Sequence, residues 1–435
     1  MAIDNKDKKV LKSSIEREQN EVACSAECEK IKGSKNLNVP HLRFPEFSGE
    51  WEIYPLTDFM SFKNGMNPDA KRFGRGTKFI SVMDILNNQF ICYDNIRASV
   101  EVVDGDIETY GVNYGDILFQ RSSETLEDVG QANVYLDSKP AVFGGFVIRG
   151  KSKSNYYPMF FRYLLASPTA RKKIIVKGAG AQHFNIGQDG LSKVCLNIPS
   201  IQEQEKIAKL FECIDTRIAT QNKIIEDLKK LKSAISKHLF ARKDLLETTI
   251  CLSNIATLKN GYAFQSGKYN ALGKWKILTI TNVSGERYIN DEDYNCIINL
   301  PNDIQDHQVL KEGDILISLT GNVGRVSLCK DGDYLLNQRV GLLQLAKNVN
   351  QEFLYQILSS QRFENSMIAC GQGAAQMNIG KGDVESYVLP YSSNVNNILL
   401  VAKILHSYDE YIINEQRKLT LLTMQKQYFL AQMFI

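Results

Sequence analysis

Two stretches of the chain carry apolar residues in the spacing of a long helix that packs along one side. In each stretch the apolar positions recur at alternating steps of three and four residues, and the second stretch repeats the first 194 positions later. This heptad spacing is typical of a coiled-coil seam. The predicted seam residues are Phe211, Ile214, Ile218, Ile225, Leu228, Ile235, Leu239, Leu405, Tyr408, Ile412, Leu419, Leu422, Phe429 and Met433.

The polar residues that interrupt the two seams also coincide. Gln221 corresponds to Glu415 and Lys232 to Lys426, each at the same separation of 194 positions. Polar groups at matched seam positions commonly fix the register and the choice of partner helix. Either helix could instead pack on a neighbouring globular domain, but two copies in one register favour packing of the helices on each other.

The segments outside these helices alternate short β-rich runs with turn residues and helical patches. KFISVMDI, GDILFQRS, AVFGGFVIRG, WKILTIT and GDILISLT are predicted strands, because they are rich in β-branched and aromatic residues. YYPMFFRYLLAS and QEFLYQILSS have the apolar spacing of helices packed beside a sheet. The sequence therefore predicts an α+β fold of two tandem mixed α/β domains, each followed by a long helix.

The chain also repeats itself outside the helices. The matched segments are KNG at 63–65 and 259–261, GDIL at 115–118 and 313–316, and GAGAQHFNIG at 178–187 with GQGAAQMNIG at 371–380. The segments occur in the same order in both copies, at offsets of 196, 198 and 193 residues. Insertions in surface loops produce such small differences of offset. The Gly-Asp pair before each Ile-Leu run is interpreted as a tight turn that feeds a buried strand.

Composition and charge indicate the cellular compartment and the kinds of partner that the chain could have. The net charge of +3 over 435 residues does not indicate a nucleic-acid-binding protein, so basic groups would have to be placed locally. Nine cysteines without repeated spacing indicate reduced thiols, and no His or Cys completes the half metal site that Cys24 and Cys28 could form. The sequence has no apolar run long enough to span a membrane and no signal-peptide core, so a cytoplasmic protein without membrane contact is expected.

Motifs of covalent chemistry are missing from the sequence. There is no phosphate-binding G-x-x-x-x-G-K-[ST] loop, no H-E-x-x-H zinc motif and no G-x-S-x-G nucleophile elbow. GAGAQHFNIG contains a G-x-G, but it lies late in its domain and lacks the third glycine of a dinucleotide-binding turn. We therefore expect a chain without a catalytic site, metal or cofactor of its own.

Polar and basic side chains beside the repeated turns are the candidate contacts with DNA. Arginine can read guanine, amide side chains can read adenine, and lysine beside a glycine-rich loop can hold phosphate. The same residues could be ordinary turn and capping residues, and the spacing leaves that interpretation open. The candidates are Lys63, Asn64, Arg121, Ser122, Ser123, Lys172, Lys173, Lys177, Gln182, His183 and Asn185, then Lys259, Asn260, Thr320, Asn322, Arg325, Gln338, Arg339, Gln376 and Asn378.

Together these features resemble the specificity subunit of type I restriction–modification systems. The resemblance rests on HLRFPEFSGEWE at 41–52, the paired KNG and GDIL turns and the paired glycine-rich loops, and it covers nearly the whole chain from about residue 41. It implies that the two long helices form an antiparallel coiled coil. The implied organisation is a polar tail at 1–40, target-recognition domains at 41–200 and 246–396, and spacer helices at 201–245 and 397–435.

The resemblance also implies a non-catalytic role in recognising double-stranded DNA. Each target-recognition domain would read one half of a bipartite, asymmetric target, while the coiled coil would set the spacing and dock two copies of a methyltransferase subunit. A restriction/translocase subunit would join this complex to cut DNA. S-adenosylmethionine, and ATP with Mg²⁺ for restriction, would then bind to the partner subunits and not to this chain.

The length of the first helix supports a spacer role. Phe211 and Leu239 are 28 positions apart, or about 42 Å along a helix, and one turn of DNA is roughly 34–36 Å. Two other functions remain open: a DNA-modifying enzyme whose site is not visible in sequence, and a coiled-coil protein-interaction adaptor without sequence-specific DNA binding. Modification of DNA by the purified chain would indicate the enzyme, and absence of sequence-dependent DNA binding with partners present would indicate the adaptor.

Overall fold

A computed structural model of the chain describes residues 38–153, 156–180, 183–371 and 377–435. These residues form two compact units. The first unit consists of residues 38–222 together with Arg417–Ile435, and the second unit is Lys223–Gln416. The predicted polar tail lies outside the described residues, apart from positions 38–40.

The first unit carries helices on both faces of its four-stranded sheet, because Ile85 packs with Leu118 on one face and Phe160 packs with Ile117 and Phe119 on the other. Its strands are β1 Glu52–Pro55, β2 Met60–Asn64, β3 Phe73–Ile80, β4 Ala98–Val100, β5 Ile117–Gln120, β6 Ser122–Ser123, β7 Ala132–Val134, β8 Val142–Phe143, β9 Val147–Ser152, β10 Phe184–Asn185 and β11 Cys195–Ile198. Its helices are α1 Leu56–Phe59, α2 Val82–Asn87, α3 Asp106–Tyr110, α4 Pro158–Ala166, α5 Pro168–Ile175, α6 Gln188–Ser192 and the first part of α7 Ile201–Ala241.

The second unit contains the remaining elements. Its strands are β12 Thr248–Cys251, β13 Ala256–Asn260, β14 Trp275–Leu278, β15 Asn295–Ile297, β16 Ile315–Ser318, β17 Val326–Leu328, β18 Tyr334–Leu336, β19 Val340–Leu345 and β20 Val388–Tyr391. Its helices are the end of α7, α8 Gln351–Leu358, α9 Gln361–Cys370, α10 Lys381–Glu385 and most of α11 Val395–Gln432.

Each unit builds the same sheets in the same order. An antiparallel four-stranded sheet runs β2-β9-β5-β7 in the first unit and β13-β19-β16-β17 in the second. A three-stranded sheet of order β4-β3-β8 corresponds to β15-β14-β18, and in both the outer pair β3·β8 or β14·β18 is parallel. The hairpin-like pairs β1·β11 and β12·β20 also correspond. The internal repeat of the sequence is therefore a repeat of the fold.

The turn that begins each central strand explains the repeated Gly-Asp pair. Gly115 and Gly313 have φ angles of +87° and +86°, a backbone conformation that favours glycine. The carboxylate of Asp116 accepts hydrogen bonds from the backbone N–H groups of Asn113 and Ser152, and that of Asp314 accepts one from Lys311. Burial raises the pKa of both carboxyl groups. These residues have a structural role, as their position before a buried strand indicated.

Two of the predicted strands end earlier than their sequences suggested. In KFISVMDI the strand β3 stops at Ile80, because the backbone N–H and the hydroxyl of Ser81 both donate to Asp84 Oδ2 at 2.7 Å and begin helix α2. In WKILTIT the strand β14 stops at Leu278, and the backbone N–H of Thr279 donates to Asn282 Oδ1 at 2.7 Å. In both repeats a side chain three residues further along the chain caps the backbone and ends the strand, although the segment is rich in β-branched residues.

The two long helices run antiparallel where they pack within each unit. In the first unit the start of α7, at Phe211, packs against the end of α11, where the Phe211 and Phe434 rings lie 5.7 Å apart. In the second unit the end of α7, at Leu239, shares a core with the start of α11, from Ile398 to Leu405. All predicted seam residues are buried or half-buried. The predicted fold, including the antiparallel pairing of the helices, is confirmed.

Each core is completed by the end of a long helix. The first core surrounds Trp51, Phe160 and Phe211 and is closed by Leu430, Met433 and Phe434 from the last turn of α11 and beyond. The second core surrounds Phe353 and Phe363 and receives Leu239 from the last turn of α7. Fully burying one such side chain contributes roughly 1.5–3 kcal/mol. The long helices are thus integral parts of the two cores.

Candidate nucleic-acid interface

Four backbone segments of the first unit lie side by side at one end of its four-stranded sheet. The backbone N–H of Met66 donates to Phe143 O at 3.0 Å, that of Arg121 to Phe146 O at 2.9 Å, and that of Ile186 to Arg121 O at 2.9 Å. Strand β6 also pairs with β10, Ser122 opposite Asn185. We call this set, residues 65–66, 143–147, 121–123 and 183–186, the first rim.

The second unit forms the same arrangement with the same hydrogen bonds. The backbone N–H of Tyr262 donates to Leu336 O at 2.8 Å, that of Leu319 to Arg339 O at 3.0 Å, and that of Ile379 to Leu319 O at 2.9 Å. Thr320 and Asn378 form an antiparallel bridge in the place of the β6·β10 pair. The second rim is residues 261–262, 336–340, 318–322 and 377–380.

The glycine of each KNG turn is required by a close backbone approach. A Cβ atom on Gly65 would lie 2.0 Å from Gly144 O, and one on Gly261 would lie 2.1 Å from Asn337 O. No side chain fits at that distance, so the backbone of the KNG turn touches the backbone of the neighbouring segment directly. The repeated glycine therefore holds the rim together in both units.

The first rim brings together five of the predicted DNA contacts. The Arg121 guanidinium donates to Gly145 O at 3.2 Å, and the Ser122 hydroxyl donates to Asn185 Oδ1. Asn185 Nδ2 donates in turn to His183 O at 3.2 Å, and Ser123 Oγ accepts from the backbone N–H of Thr125. Ser122 and Ser123 are half-buried, whereas His183 and Asn185 are exposed. The result is a polar edge with an arginine beside it.

Lys63 and Asn64 border the first rim at the end of β2. The Lys63 ammonium lies 5.4 Å from the centre of the Tyr110 ring, a cation–π distance. Asn64 is adjacent to Gln188 of α6, which in the amide orientation that satisfies its neighbours donates to Phe62 O and accepts from Asn64. Both side chains are half-buried and already have partners in the chain.

The second rim carries a different set of side chains on the same backbone. Asn322, Gln338, Arg339 and Asn378 are exposed, and Thr320 is half-buried. The Thr320 hydroxyl oxygen itself is buried and makes no hydrogen bond within residues 38–153, 156–180, 183–371 and 377–435. An unsatisfied hydroxyl at a surface edge is a group that a ligand could satisfy.

Three other candidates of the second unit already have contacts within the chain. Lys259, the penultimate residue of β13, lines a polar cleft with His307 and Lys311, whereas exposed Asn260 accepts at its carbonyl from Gln308 at 3.4 Å. Arg325 Nε lies 3.5 Å from Glu364 Oε1 of α9, so its charge is paired inside the unit. Arg325 corresponds structurally to Gln131, since each accepts at its carbonyl from the backbone N–H of the residue that ends the central strand.

The predicted lysine cluster of α5 is only partly at the first rim. Lys177 lies just before the loop and contacts Gly190, and Lys172 is exposed on α5. Lys173 Nζ instead lies 3.4 Å from Asn197 Oδ1 of β11, and burial lowers its pKa. Arg171, next to this cluster, donates to Glu127 O and Val129 O and is a structural residue. Gln182 and Gln376 lie outside the described residues.

Phe146 is a rim residue that the sequence prediction missed. It occupies the turn between β8 and β9 beside Arg121 and is 69% exposed. The sequence predicts AVFGGFVIRG as one strand with Phe146 as an apolar residue inside it, whereas the structure divides this segment into β8 and β9. The only available signal was the Gly-Gly pair before it, which is typical of a turn.

The described residues form neither a metal centre nor a membrane-spanning helix. Within that part of the chain no group of three or more His, Cys, Asp or Glu side chains is placed to hold a metal ion. None of the described helices combines the length and the apolar character needed to cross a membrane. The rims are therefore the principal candidate sites that the geometry offers.

Comparisons with known proteins agree with this geometry. Residues 48–230 and 247–424 each match the family model described as "Type I restriction modification DNA specificity domain". Each match spans one set of sheets and most of the long helix that follows it.

Two curated proteins of Methanocaldococcus jannaschii are similar over most of their length. The type I restriction enzyme MjaVIII specificity subunit is 25% identical over 359 residues, covering 77% of this chain and 80% of the relative. The putative type I restriction enzyme MjaX specificity subunit is 25% identical over 405 residues, covering 87% and 91%. A crystal structure of the type I restriction–modification S subunit from M. genitalium has the same fold, with a TM-score of 0.53 at 15% identity, covering 91% of this chain and 99% of that one.

The two family matches together extend over far more than half of the chain, and they coincide with the two repeats of the fold. The chain belongs to the family of type I restriction modification DNA specificity domain proteins.

Proposed function

We propose that this chain is the DNA-recognition subunit of a type I restriction–modification complex. Each rim would read one half of a bipartite, asymmetric DNA target. The observation that carries the proposal is the repeated rim, in which one backbone arrangement occurs twice with different exposed side chains. A reader of two equal half-sites would instead present the same side chains twice.

The chemistry of the rims suits contacts with base edges and phosphates. Asn185 and Asn378 present amide groups, which can pair with adenine, and Arg121 and Arg339 present guanidinium groups, which can pair with guanine. The exposed Lys177 would contribute a phosphate contact beside the first rim. With a net charge of only +3, the chain would share the phosphate contacts with its partners.

The paired helices would set the separation between the half-sites and dock two methyltransferase subunits. A fold that repeats itself offers two similar docking surfaces, so two copies of one partner are expected. Exposed apolar side chains on α11 support protein contacts: Leu421, Met424 and Tyr428 in the first unit are 57–64% exposed, and Tyr411 in the second unit is 62% exposed. Exposed apolar groups clustered on one element mark an interaction surface.

The chain would contribute no catalytic group to the reaction. S-adenosylmethionine would bind to the methyltransferase subunits, and ATP with Mg²⁺ would bind to a restriction/translocase subunit that joins the complex. The role of this chain would be to place those subunits on one DNA sequence. The relatives in Methanocaldococcus jannaschii are named as specificity subunits, which supports this division of labour.

The experiment is to co-express the chain with the methyltransferase subunit encoded beside it and to map methylated adenines across a genome. The expected result is methylation at one split, asymmetric sequence that is absent when the methyltransferase is expressed alone. A palindromic target would contradict the assignment of different half-sites to the two rims. No new methylated motif, with a methyltransferase shown to be active and bound, would favour a coiled-coil adaptor that does not recognise DNA sequence.

A further inference from the structure

Phe146 and Arg339 occupy one and the same position in the two rims. The carbonyl of Phe146 accepts from the backbone N–H of Arg121 at 2.9 Å, and the carbonyl of Arg339 accepts from that of Leu319 at 3.0 Å. Each residue also comes directly before the strand, β9 or β19, that occupies the second place in its four-stranded sheet. The position is therefore defined by the fold and not only by alignment of the sequence.

The neighbouring positions of the two rims are nearly the same. The end of β2 and the end of β13 both read Lys-Asn-Gly, and Asn185 has its counterpart in Asn378. Ser122 and Thr320 both carry a hydroxyl group at the next edge; that of Ser122 donates to Asn185, and that of Thr320 is buried. Arg121 corresponds to the buried Leu319, and two adjacent turn positions also differ sharply: Gly145 corresponds to Gln338, and Phe146 to Arg339.

The side chains at the differing position are not used by the fold. Phe146 is 69% exposed, so its ring contributes little to the core. The Arg339 side chain is exposed, and its guanidinium makes no hydrogen bond or ion pair with any residue that the structure describes. Only the backbone of Arg339 is engaged, through its carbonyl and through its N–H, which donates to Asn337 Oδ1 at 3.1 Å. Both side chains are free to contact a ligand.

We infer that this turn position determines specificity, Arg339 by reading a guanine in one half-site and Phe146 by packing on a thymine methyl group in the other. The inference rests on the proposed function. Arginine pairs in a bidentate manner with guanine O6 and N7, and phenylalanine makes apolar contact with the thymine methyl group.

The test uses the complete complex with the methyltransferase and a DNA library in which each base pair of both half-sites is varied. Arg339→Ala should relax the preference for one G·C pair in one half-site by roughly 5- to 150-fold, the range expected for one bidentate contact. Phe146→Ala should relax the preference for one T·A pair in the other half-site, by a smaller factor. Every other base preference should stay unchanged in both variants.

A second arginine variant and two controls separate base reading from phosphate contact. Arg339→Lys keeps the charge but loses the bidentate geometry, so it should also relax the guanine preference. The controls lie at the opposite ends of rim strands: Tyr114→Ala, an exposed aromatic before β5, and Lys347→Ala, an exposed lysine after β19. Both controls should methylate with wild-type preferences.

The outcomes distinguish this inference from the function on which it rests. If the wild-type complex methylates a split sequence and both alanine variants keep every base preference, the inference is wrong and the proposed function stands. If the Arg339→Lys variant keeps the wild-type preference for the G·C pair, Arg339 contacts phosphate and not guanine, and the inference is also wrong. If the wild-type complex shows no sequence preference, the proposed function itself fails.

Discussion

At the scale of single residues, the carboxylate of Glu247 joins the connection after α7 to the segment before α11. Its Oε1 accepts from the backbone N–H of Ser393 at 2.7 Å and from the Ser393 hydroxyl at 2.9 Å. Hydrogen bonds to the carboxylate, the strongest from the Ser392 hydroxyl, lower the pKa of Glu247 from 4.5 to about 2. Because folding lowers this pKa, the stabilisation is complete above pH 4.5 and is lost as the pH falls towards 2.

Replacing Glu247 by glutamine should therefore destabilise the chain in a pH-dependent way. The melting temperature of Glu247→Gln should be lower than that of the wild type at pH 7, because an amide oxygen accepts these bonds more weakly than a carboxylate. The difference should shrink at pH 3 and continue to fall towards pH 2. Thermal unfolding at several pH values measures this, with Glu108→Gln on the surface of α3 as the control for the loss of one charge. An equal difference at pH 7 and pH 3 would contradict the assignment.

The sequence predicts the exposed polar residues of the rims better than it predicts the exposed Phe146 or which arginines are paired within the chain. Asn185 and Asn378 lie in the repeated loop motif, so the repeat itself points to them. Arg325 has the same chemistry as Arg339 on paper, yet Glu364 from a distant helix pairs with it. Phe146 resembles any strand residue until the turn is seen. Pairing and exposure depend on tertiary neighbours, which one sequence does not reveal.

At the scale of elements, the helix pair is fixed by two ion pairs that repeat each other. Lys426 Nζ lies 2.6 Å from Asp215 Oδ1 in the first unit, and Lys232 Nζ lies 2.6 Å from Asp409 Oδ1 in the second. The lysines are the seam interruptions that the sequence singles out. The two aspartates, like the two lysines, are 194 residues apart in the sequence. Each lysine thus meets the aspartate of the opposite helix, which fixes the antiparallel register.

The two ion pairs have different surroundings, which gives a matched test. Asp215 also accepts from the Tyr163 hydroxyl at 2.8 Å. Asp409 also accepts from Arg287 at 2.9 Å and from Gln356 at 2.6 Å. Reversing a pair therefore leaves the neutral Tyr163 hydroxyl as the hydrogen-bond partner in the first unit, where Arg162 is a further electrostatic neighbour, but places a new lysine in direct contact with Arg287 in the second.

Asp215→Lys alone should lower the free energy of unfolding by roughly 1–3 kcal/mol, because it places two cations together in a largely buried site. Combining it with Lys426→Asp should recover most of that loss. The combination of Asp409→Lys with Lys232→Asp should not recover, because Arg287 remains. Urea unfolding of these three variants and of Asp409→Lys alone measures this, and equal recovery in both units would contradict the assigned roles.

Helices and strands were predictable to different extents. The seam of α7 and α11 follows from a pattern repeated over many turns, so local exceptions do not hide it. The strands β3 and β14 were predicted too long, because Asp84 and Asn282 act as caps across only three residues. The aspartates of the ion pairs were missed because each is adjacent to the seam and not on it.

At the scale of the whole molecule, one chain holds two copies of a scaffold that share a backbone arrangement and differ in their side chains. The sheet orders, the positive-φ glycines before the central strands and the close approach of the KNG turns are common to both copies. An ordered repeat of short motifs was enough to predict this architecture. The DNA bases that each copy would read under the proposed function do not follow from the repeat, because they would depend on the side chains that differ.

Lengthening both long helices by one heptad should change the spacing of the DNA target and nothing else. Seven residues add about 10.5 Å to a helix, which corresponds to about three base pairs of DNA. With insertions after Asn222 and after Gln416, the half-site sequences should stay the same and the gap between them should grow. Methylation mapping of the variant complex measures the gap, and the original gap would contradict the spacer role. The insertion in α7 alone should abolish methylation, since it shifts the helix register.

The last turn of α11 and the residues after it have a consequence for synthesis on the ribosome. Leu430, Met433 and Phe434 belong to the core around Trp51, and Leu42 donates its backbone N–H to Gln432 O at 2.9 Å. The second unit, by contrast, needs no residue beyond Gln416. During translation the later unit can therefore fold first, while the earlier unit waits for the final residues of α11. The ribosome makes the N-terminal half first, but the core of that half is completed last. A stalled or truncated chain would therefore expose the hydrophobic interior of its N-terminal half.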